Sequence, residues 1–237
     1  MKVLEDKLYG GGMTSVNIPE WIFKNRKFVG QDILEVGSRH YADGAVSDLR
    51  ELIVRSRGTS KEEPRIVGCD LAPGENVDVV ADLTDSMELI AEAFNYRMFD
   101  TIFCLSVLEH VPDCVSMARN LSTLLKPGGV IFVSVPFVFR LHEYPVDMWR
   151  FTPDAVKFIF PTIDFRELKY SNISTLEDGD VMPLSAGRMD KLNRFIFRPK
   201  ERDFKLNRKQ DKSMGKDVKE YMLAPTMINM LGFKAKS

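Results

Sequence analysis

The feature that most narrows what this chain can fold into is an alternation. Short apolar runs of about five residues are separated by longer stretches whose apolar residues recur at helical spacing. Ile33–Val36, bounded by Asp32 and Gly37, predicts a buried strand, and Asp43–Arg57 places Val46, Leu49, Leu52 and Ile53 on one helical face. Arg65–Cys69 and Val77–Val80 predict two further strands, Asp85–Asn95 a helix, and Phe99–Leu105 another strand. Pro112–Leu125 predicts a helix stopped by Lys126-Pro127-Gly128-Gly129. Val130–Val135 is then β-branched and apolar throughout, which suits burial on both faces. Strand and helix in repetition mean an α/β fold, a parallel sheet with right-handed crossovers. Such sheets take ligands outside the carboxyl ends of their strands, where strand order reverses. The positions to inspect therefore follow Val36, Cys69, Val80, Cys104 and Val135.

Past residue 150 the pattern thins. Thr152-Pro153-Asp154 is a helix start, with Thr as N-cap and an acid in the first turn, and Pro161 ends that helix. Asp164–Tyr170 and Asn193–Phe197 are expected as later strands. Residues 191–237 carry 13 Lys/Arg against 5 Asp/Glu, whereas the preceding residues are acidic on balance. The reading is a domain over residues 1–197 and a basic extension over 198–237. Arg198–Glu220 is expected to be mobile, and Tyr221–Phe233 is expected as a short docking helix.

Composition limits the classes. An apolar fraction of 44% with 28% charged residues is ordinary for a soluble protein. No apolar run reaches the ~20 residues of a membrane span, and the N-terminus lacks a signal-peptide pattern. Cys69, Cys104 and Cys114 match no metal or disulfide spacing, and Cys69 and Cys104 end apolar runs. They read as core residues in a reducing, cytoplasmic compartment.

The first strand end reads Glu35-Val36-Gly37-Ser38-Arg39. Gly37 lets the chain turn sharply and a ligand approach the backbone, and Glu35 sets a carboxylate beside it that can hold an ammonium group. A dinucleotide site would want Gly-x-Gly-x-x-Gly to crowd amides around a pyrophosphate. Here Ser38-Arg39-His40-Tyr41-Ala42-Asp43-Gly44 follows, so a nicotinamide-dependent oxidoreductase is a distant reading. Glu35 as a plain turn cap is the competing one. The second end, Gly68-Cys69-Asp70-Leu71, offers an acid that can accept two hydrogen bonds from a ribose diol or simply start a turn. The third, Ala81-Asp82-Leu83, offers an acceptor for an adenine amino group with an apolar side chain beside it.

The fourth end runs Phe99-Asp100-Thr101-Ile102-Phe103-Cys104-Leu105-Ser106-Val107-Leu108-Glu109-His110-Val111-Pro112-Asp113, and Leu125-Lys126-Pro127-Gly128-Gly129 precedes the next strand. In register from about Ile33 to Val135, this resembles the class I S-adenosylmethionine-dependent methyltransferases. The resemblance implies a Rossmann-like, doubly wound, mostly parallel seven-stranded sheet with an antiparallel last strand. It implies S-adenosyl-L-methionine as cofactor, with Glu35, Gly37 and Ser38 at its methionine end. Asp70 and Leu71 would meet the ribose, Asp82 and Leu83 the adenine, and Leu105 and Ser106 would line it from the fourth strand. The chain departs from the family in its glycine-poor first turn, at Ser38-Arg39.

A further stretch, Val135-Pro136-Phe137 and then His142-Glu143-Tyr144-Pro145-Val146-Asp147-Met148-Trp149-Arg150-Phe151-Thr152-Pro153, looks like bacterial methyltransferase-domain proteins linked to glycan or secondary metabolism. There the segment forms part of the substrate side. Tyr144 and Trp149 offer flat apolar faces, and Asp147 and Arg150 offer polar anchors; the alternative is that Trp149 and Phe151 pack the next helix onto the sheet. All three histidines, His40, His110 and His142, fall just after strand ends. A neutral imidazole there can take the proton of an attacking hydroxyl, so His142 and His110 are the candidate catalytic bases. No ligand spacing supports a metal, and none is expected. The implied activity is methyl transfer to an oxygen or nitrogen of a small molecule, sugar or glycan precursor. Two alternatives stay open: a nucleic-acid-acting methyltransferase using the basic C-terminal segment, and a non-catalytic binding module of the same fold. The fourth strand end is not of the Asn/Asp-Pro-Pro-Tyr type, which counts against methylation of adenine N6 in nucleic acid.

Overall fold

Strand β1 (Asp32–Val36) lies between β2 (Arg65–Asp70) and β4 (Phe99–Leu105), parallel to both. The short β3 (Val79–Val80) flanks β2, and β5 (Leu125–Val138) flanks β4, again in parallel. Next comes β11 (Thr226–Lys234), antiparallel to β5 on one side and to β7 (Asn172–Thr175) on the other. The short strands β8 (Val181–Pro183) and β6 (Ile163–Asp164) pair with β7 and β11. The order is β3-β2-β1-β4-β5-β11-β7-β8 and strand order reverses between β1 and β4. The doubly wound, mostly parallel sheet with its antiparallel last strand is thus present, enlarged at one side by β6 and β8. This computed structural model describes residues 17–39, 49–56, 62–142, 146–176, 179–186, 189–199 and 221–236.

Successive strand side chains face opposite ways, so a sheet covered on both faces divides the core in two. Ile33, Phe103, Phe132 and Leu231 face one side, where Trp21 and Ile22 of α1 (Asn17–Lys24) and Leu49 and Ile53 of α2 (Leu49–Ser56) cover them. Phe103 stacks on Phe132 with ring centroids 4.7 Å apart, and Trp21 meets Phe132 edge-on at 5.2 Å. Leu34, Ile102, Ile131 and Val133 face the other side. There they pack with Ile90 of α3 (Met87–Ala93), Met117 and Leu121 of α4 (Cys114–Leu124), and Val156 of α5 (Pro153–Ile159). Each large apolar side chain buried this way contributes about 1.5–3 kcal/mol. The helices start as their sequences dictate: the side chains of Ser86, Asp113 and Thr152 accept hydrogen bonds from Leu89 N, Ser116 N and Ala155 N. Cys69, Cys104 and Cys114 are buried free thiols. Burial pushes the Cys69 thiol up to about 12.

The structure corrects the reading of the second half. The domain does not end at residue 197, because Thr226–Lys234 is a central strand of the sheet. Tyr221–Phe233 is not a helix; Tyr221–Leu223 forms β10, paired with β9 (Phe197–Pro199), and the rest belongs to β11. A mostly apolar run without clear periodicity is ambiguous between buried strand and buried helix, and here pairing with β5 and β7 settles it. Asn193–Phe197 is mostly the end of helix α6 (Met189–Ile196), and of Asp164–Tyr170 only Asp164 lies in a strand. Residues 200–220, within the stretch expected to be mobile, lie outside the described residues. No described helix is long and apolar enough to cross a membrane.

A polar ladder runs through the antiparallel part of the sheet. Ser134 donates from Oγ to Asn229 Oδ1 at 2.8 Å, and Asn229 Nδ2 donates to Asn172 Oδ1 at 2.8 Å and Ser174 Oγ at 3.1 Å. All four side chains are buried. The ladder fixes which residues of β5, β11 and β7 face one another, since a one-residue slip would point Asn229 to the opposite face.

Candidate active site

Parallel register brings the strand ends together. Val36 pairs with Cys69 on one side and with Cys104 on the other, and Leu105 pairs with Ser134. The residues that follow, Gly37, Asp70, Ser106 and Val135, therefore lie along one edge of the sheet, at the reversal of strand order where α/β sheets take ligands.

At the first turn Gly37 has φ +70, and a Cβ there would sit 2.6 Å from Val107 Cγ2 in the loop after β4. The two loops touch at this point, and only glycine fits both the dihedral and the space. The amides of Gly37 and Ser38 both donate to Cys69 O, at 2.9 and 3.2 Å. Ser38 is buried, and its Oγ has no hydrogen-bond partner among the described residues. Glu35 is engaged by Arg50 of α2, whose Nε lies 3.4 Å from Oε2. Arg50 also reaches Asp78 at 2.7 Å and Asn76 O at 2.8 Å, so it ties α2 to the loop after β2. The sequence singled out Glu35 but not this partner, because nothing in an amphipathic helix marks which arginine turns inward.

Asp70 accepts from Arg39 N at 3.2 Å and Ala72 N at 3.3 Å, which holds its carboxylate at the mouth of the edge. Leu71 beside it is exposed, at 62%. Asp82 is exposed, with one oxygen taking Thr84 N and Oγ1 at 2.8 and 2.7 Å. Leu83 is instead buried in the core with Ile90. Leu105 is half-buried, and Ser106 is exposed with φ 55, an uncommon left-handed conformation for a serine that turns the chain out of β4. Its amide donates to Ser134 O at 2.8 Å.

Next to this edge His110 and His142 meet, with ring centroids 4.8 Å apart and planes 79° apart. His110 Nδ1 lies 2.6 Å from Val146 O. A carbonyl only accepts, so Nδ1 carries the hydrogen and Nε2 of the neutral ring keeps its lone pair. Burial lowers the His110 pKa, which favours that neutral ring. His142 Nδ1 is 3.1 Å from Asp147 Oδ2, within ion-pair range but misaligned for a hydrogen bond. Under the pair lies Glu109, 1% exposed, with Oε1 3.9 Å from His110 Nε2 and Oε2 without a hydrogen-bond partner. Burial pushes its pKa up to about 8. Sequence reasoning passed over Glu109; the signal was a lone acid inside the apolar stretch Val107–Val111.

The substrate-side residues divide. Asp147 and Arg150 hold each other, at 2.5 and 2.7 Å, and Arg150 also donates to Arg140 O at 3.1 Å. The guanidinium keeps the Asp147 carboxyl far below the ordinary range. Asp147 further accepts from His142 N at 3.0 Å, so this pair braces the loop that carries the histidine. Trp149 is 42% exposed and anchored by Nε1 to Val111 O at 2.9 Å, whereas Phe151 is in the core. Tyr144 and His40 lie outside the described residues.

A family model described as a methyltransferase domain matches residues 20–166, more than half of the chain. The chain belongs to that family. It is an S-adenosylmethionine-dependent methyltransferase, and S-adenosyl-L-methionine is its cofactor. This methyltransferase is similar to the ubiquinone biosynthesis O-methyltransferase of Pseudomonas putida (strain W619), 32% identical over 192 residues, covering 72% of this chain and 75% of the relative. The protein of the same description from Pseudomonas entomophila (strain L48) is 31% identical over the same length and coverage. Among solved structures, a SAM dependent methyltransferase from Archaeoglobus fulgidus aligns with TM-score 0.50 at 14% identity, covering 98% of this chain and 99% of that one, a likeness of fold.

Proposed function

We propose that this methyltransferase methylates an oxygen or nitrogen of a small molecule, with the acceptor seated beside His110 and His142. The observation that carries the reading is the meeting of these two rings, from the loops after β4 and β5, next to the strand ends where the cofactor belongs. The O-methyltransferase description of the relatives supports it.

The turn after β1 suits the methionine end of the cofactor. Ser38 Oγ is a buried hydroxyl with no partner among the described residues, and Gly37 leaves the backbone bare. Glu35 stands behind them as a charge that Arg50 already positions. Asp70, with its carboxylate oriented by two amides, suits a ribose diol, and the exposed Leu71 suits the face above it. The exposed Asp82 offers a carboxylate to the adenine amino group; the buried Leu83 contributes backbone rather than side chain. Leu105 and Ser106 form the wall from β4. When bound, the cofactor supplies an activated methyl on a sulfonium, so the protein's task is orientation and exclusion of water. A hydroxyl acceptor must shed its proton, and the paired imidazoles are the groups to assist it. Asp147 and Arg150 hold the His142 loop in place, and the half-exposed Trp149 offers an apolar face to the acceptor.

The nucleic-acid alternative would draw on the basic residues of Lys191–Lys219, most of which lie outside the described residues. The test is methyl transfer from labelled cofactor to panels of phenols, sugars and amines. His142→Ala or His110→Ala should lower turnover on a hydroxyl acceptor by about 10²-fold or more with cofactor affinity intact. Label entering only nucleic acid, or full turnover in both variants, contradicts the proposal.

A further inference from the structure

We propose that Glu109, His110 and His142 form a binding site for a divalent first-row transition-metal ion, whose open positions receive the acceptor oxygen. The inference rests on the acceptor lying at this edge. Each of the three residues offers one ligand atom, and these atoms all lie within 4.8 Å of one another. A point equidistant from three such atoms is within about 2.8 Å of each, so side-chain rotations of under about an ångström reach zinc-like bond lengths of ~2.0–2.2 Å.

Independent features of the cluster point to a cation. Glu109 is almost wholly buried, and its Oε2 meets no donor. A buried carboxylate oxygen without a partner is costly, and a cation is one occupant that removes the cost. His110 also carries the outer hydrogen bond that orients a metal-ligating histidine, and His142 has a carboxylate close to the corresponding nitrogen. For His110 the acceptor is Val146 O at 2.6 Å; for His142 the carboxylate atom is Asp147 Oδ2 at 3.1 Å. Asp147 is in turn fixed by Arg150. His110 is thereby left with Nε2 for an ion, and His142 offers one ring nitrogen within the same cluster. Two imidazoles and one carboxylate suit zinc, iron or manganese better than magnesium or calcium, which take oxygen ligands.

The ion defines how an acceptor hydroxyl would be activated. Bound to the metal, the hydroxyl becomes acidic and releases its proton to solvent, as metal-bound water does. The oxygen then forms the new bond to the methyl carbon, the carbon–sulfur bond breaks, and its electron pair returns to sulfur. In this scheme His110 and His142 assist the acceptor hydroxyl through the ion they hold.

The test uses the full chain stripped with chelator and titrated with Co²⁺, read by visible absorption. One equivalent of Co²⁺ with saturable bands of a nitrogen- and oxygen-ligated site is expected, displaced by Zn²⁺. The bands should vanish in His142→Gln. In Asp147→Asn, which keeps every ligand, affinity should fall about 10-fold or more. Bands unchanged in His142→Gln, or no saturable bands in the wild-type chain, overturn the site; a proton on Glu109 is then its occupant. Chelation should abolish O-methylation, with Zn²⁺ or Mn²⁺ restoring it, and turnover untouched by chelator overturns the metal's role. Calorimetry of the metal-free chain with S-adenosylmethionine keeps the cases apart, since cofactor binding is expected without the ion.

Discussion

Gly37 carries the tightest steric demand of the proposed cofactor site. Its φ of +70 and the 2.6 Å approach of a would-be Cβ to Val107 make Gly37→Ala doubly unfavourable. The substitution should cost about 1–3 kcal/mol of stability and lower cofactor affinity more than tenfold, checked by thermal unfolding and calorimetry side by side. An unaltered affinity would show that the turn does not shape the site. Sequence reasoning singled out Gly37, Asp70, His110 and His142 because strand ends are visible as the last residue of an apolar run, and the structure places them at or beside one edge of the sheet. It missed Arg50 and Glu109, whose importance lies in the direction their side chains take. Trp149 shows the same limit from the other side: an aromatic next to Phe151 can be core or surface, and only the packed structure separates them.

Among elements, β11 is the one that a reading by periodicity loses. Met227-Ile228-Asn229-Met230-Leu231 has a single polar residue in an apolar run, and its pairing partners are nearly a hundred residues distant in β5 and more than fifty in β7. The first five parallel strands were legible because each is bounded by a turn and followed by a helix of regular spacing. Truncation before Thr226 should therefore abolish cooperative unfolding, although the sequence alone places the domain boundary near residue 197. A truncated chain with the melting temperature of the full one would contradict β11's place in the sheet. Asn229→Ala would leave Ser134, Asn172 and Ser174 short of partners and open a small cavity. It should destabilise by about 2–4 kcal/mol in denaturant titration, and a loss within about 0.5 kcal/mol would mean the ladder is idle.

Across the whole molecule, charge is organised at opposite ends of the strands. At the amino ends Asp32 is held by Arg65 at 2.7 Å, Arg97 at 2.8 Å and Lys126 at 2.8 Å, while Asp100 takes Asp32 N at 2.8 Å and Lys126 at 3.0 Å. The Arg65 contact foremost, with help from Lys126 and Arg97, drives the Asp32 carboxyl far below its usual 3.8. A carboxyl depressed on folding adds stability above its unfolded pKa and loses it as pH falls below that value. Wild-type stability should thus decline below about pH 4, and Asp32→Asn should flatten that part of the profile while lowering stability at neutral pH. An acid limb of equal steepness in the variant would assign the loss to other carboxyls. This staple keeps β1, β2, β4 and β5 in register at the end away from the chemistry, which leaves the carboxyl edge free to be shaped by ligands. The most direct test of the whole assignment is calorimetry of the full chain with S-adenosylmethionine. One site per chain is expected, competed by S-adenosylhomocysteine and weakened at least tenfold by Asp70→Ala; an absence of binding heat, with no competition by S-adenosylhomocysteine in a label-retention assay, would contradict it.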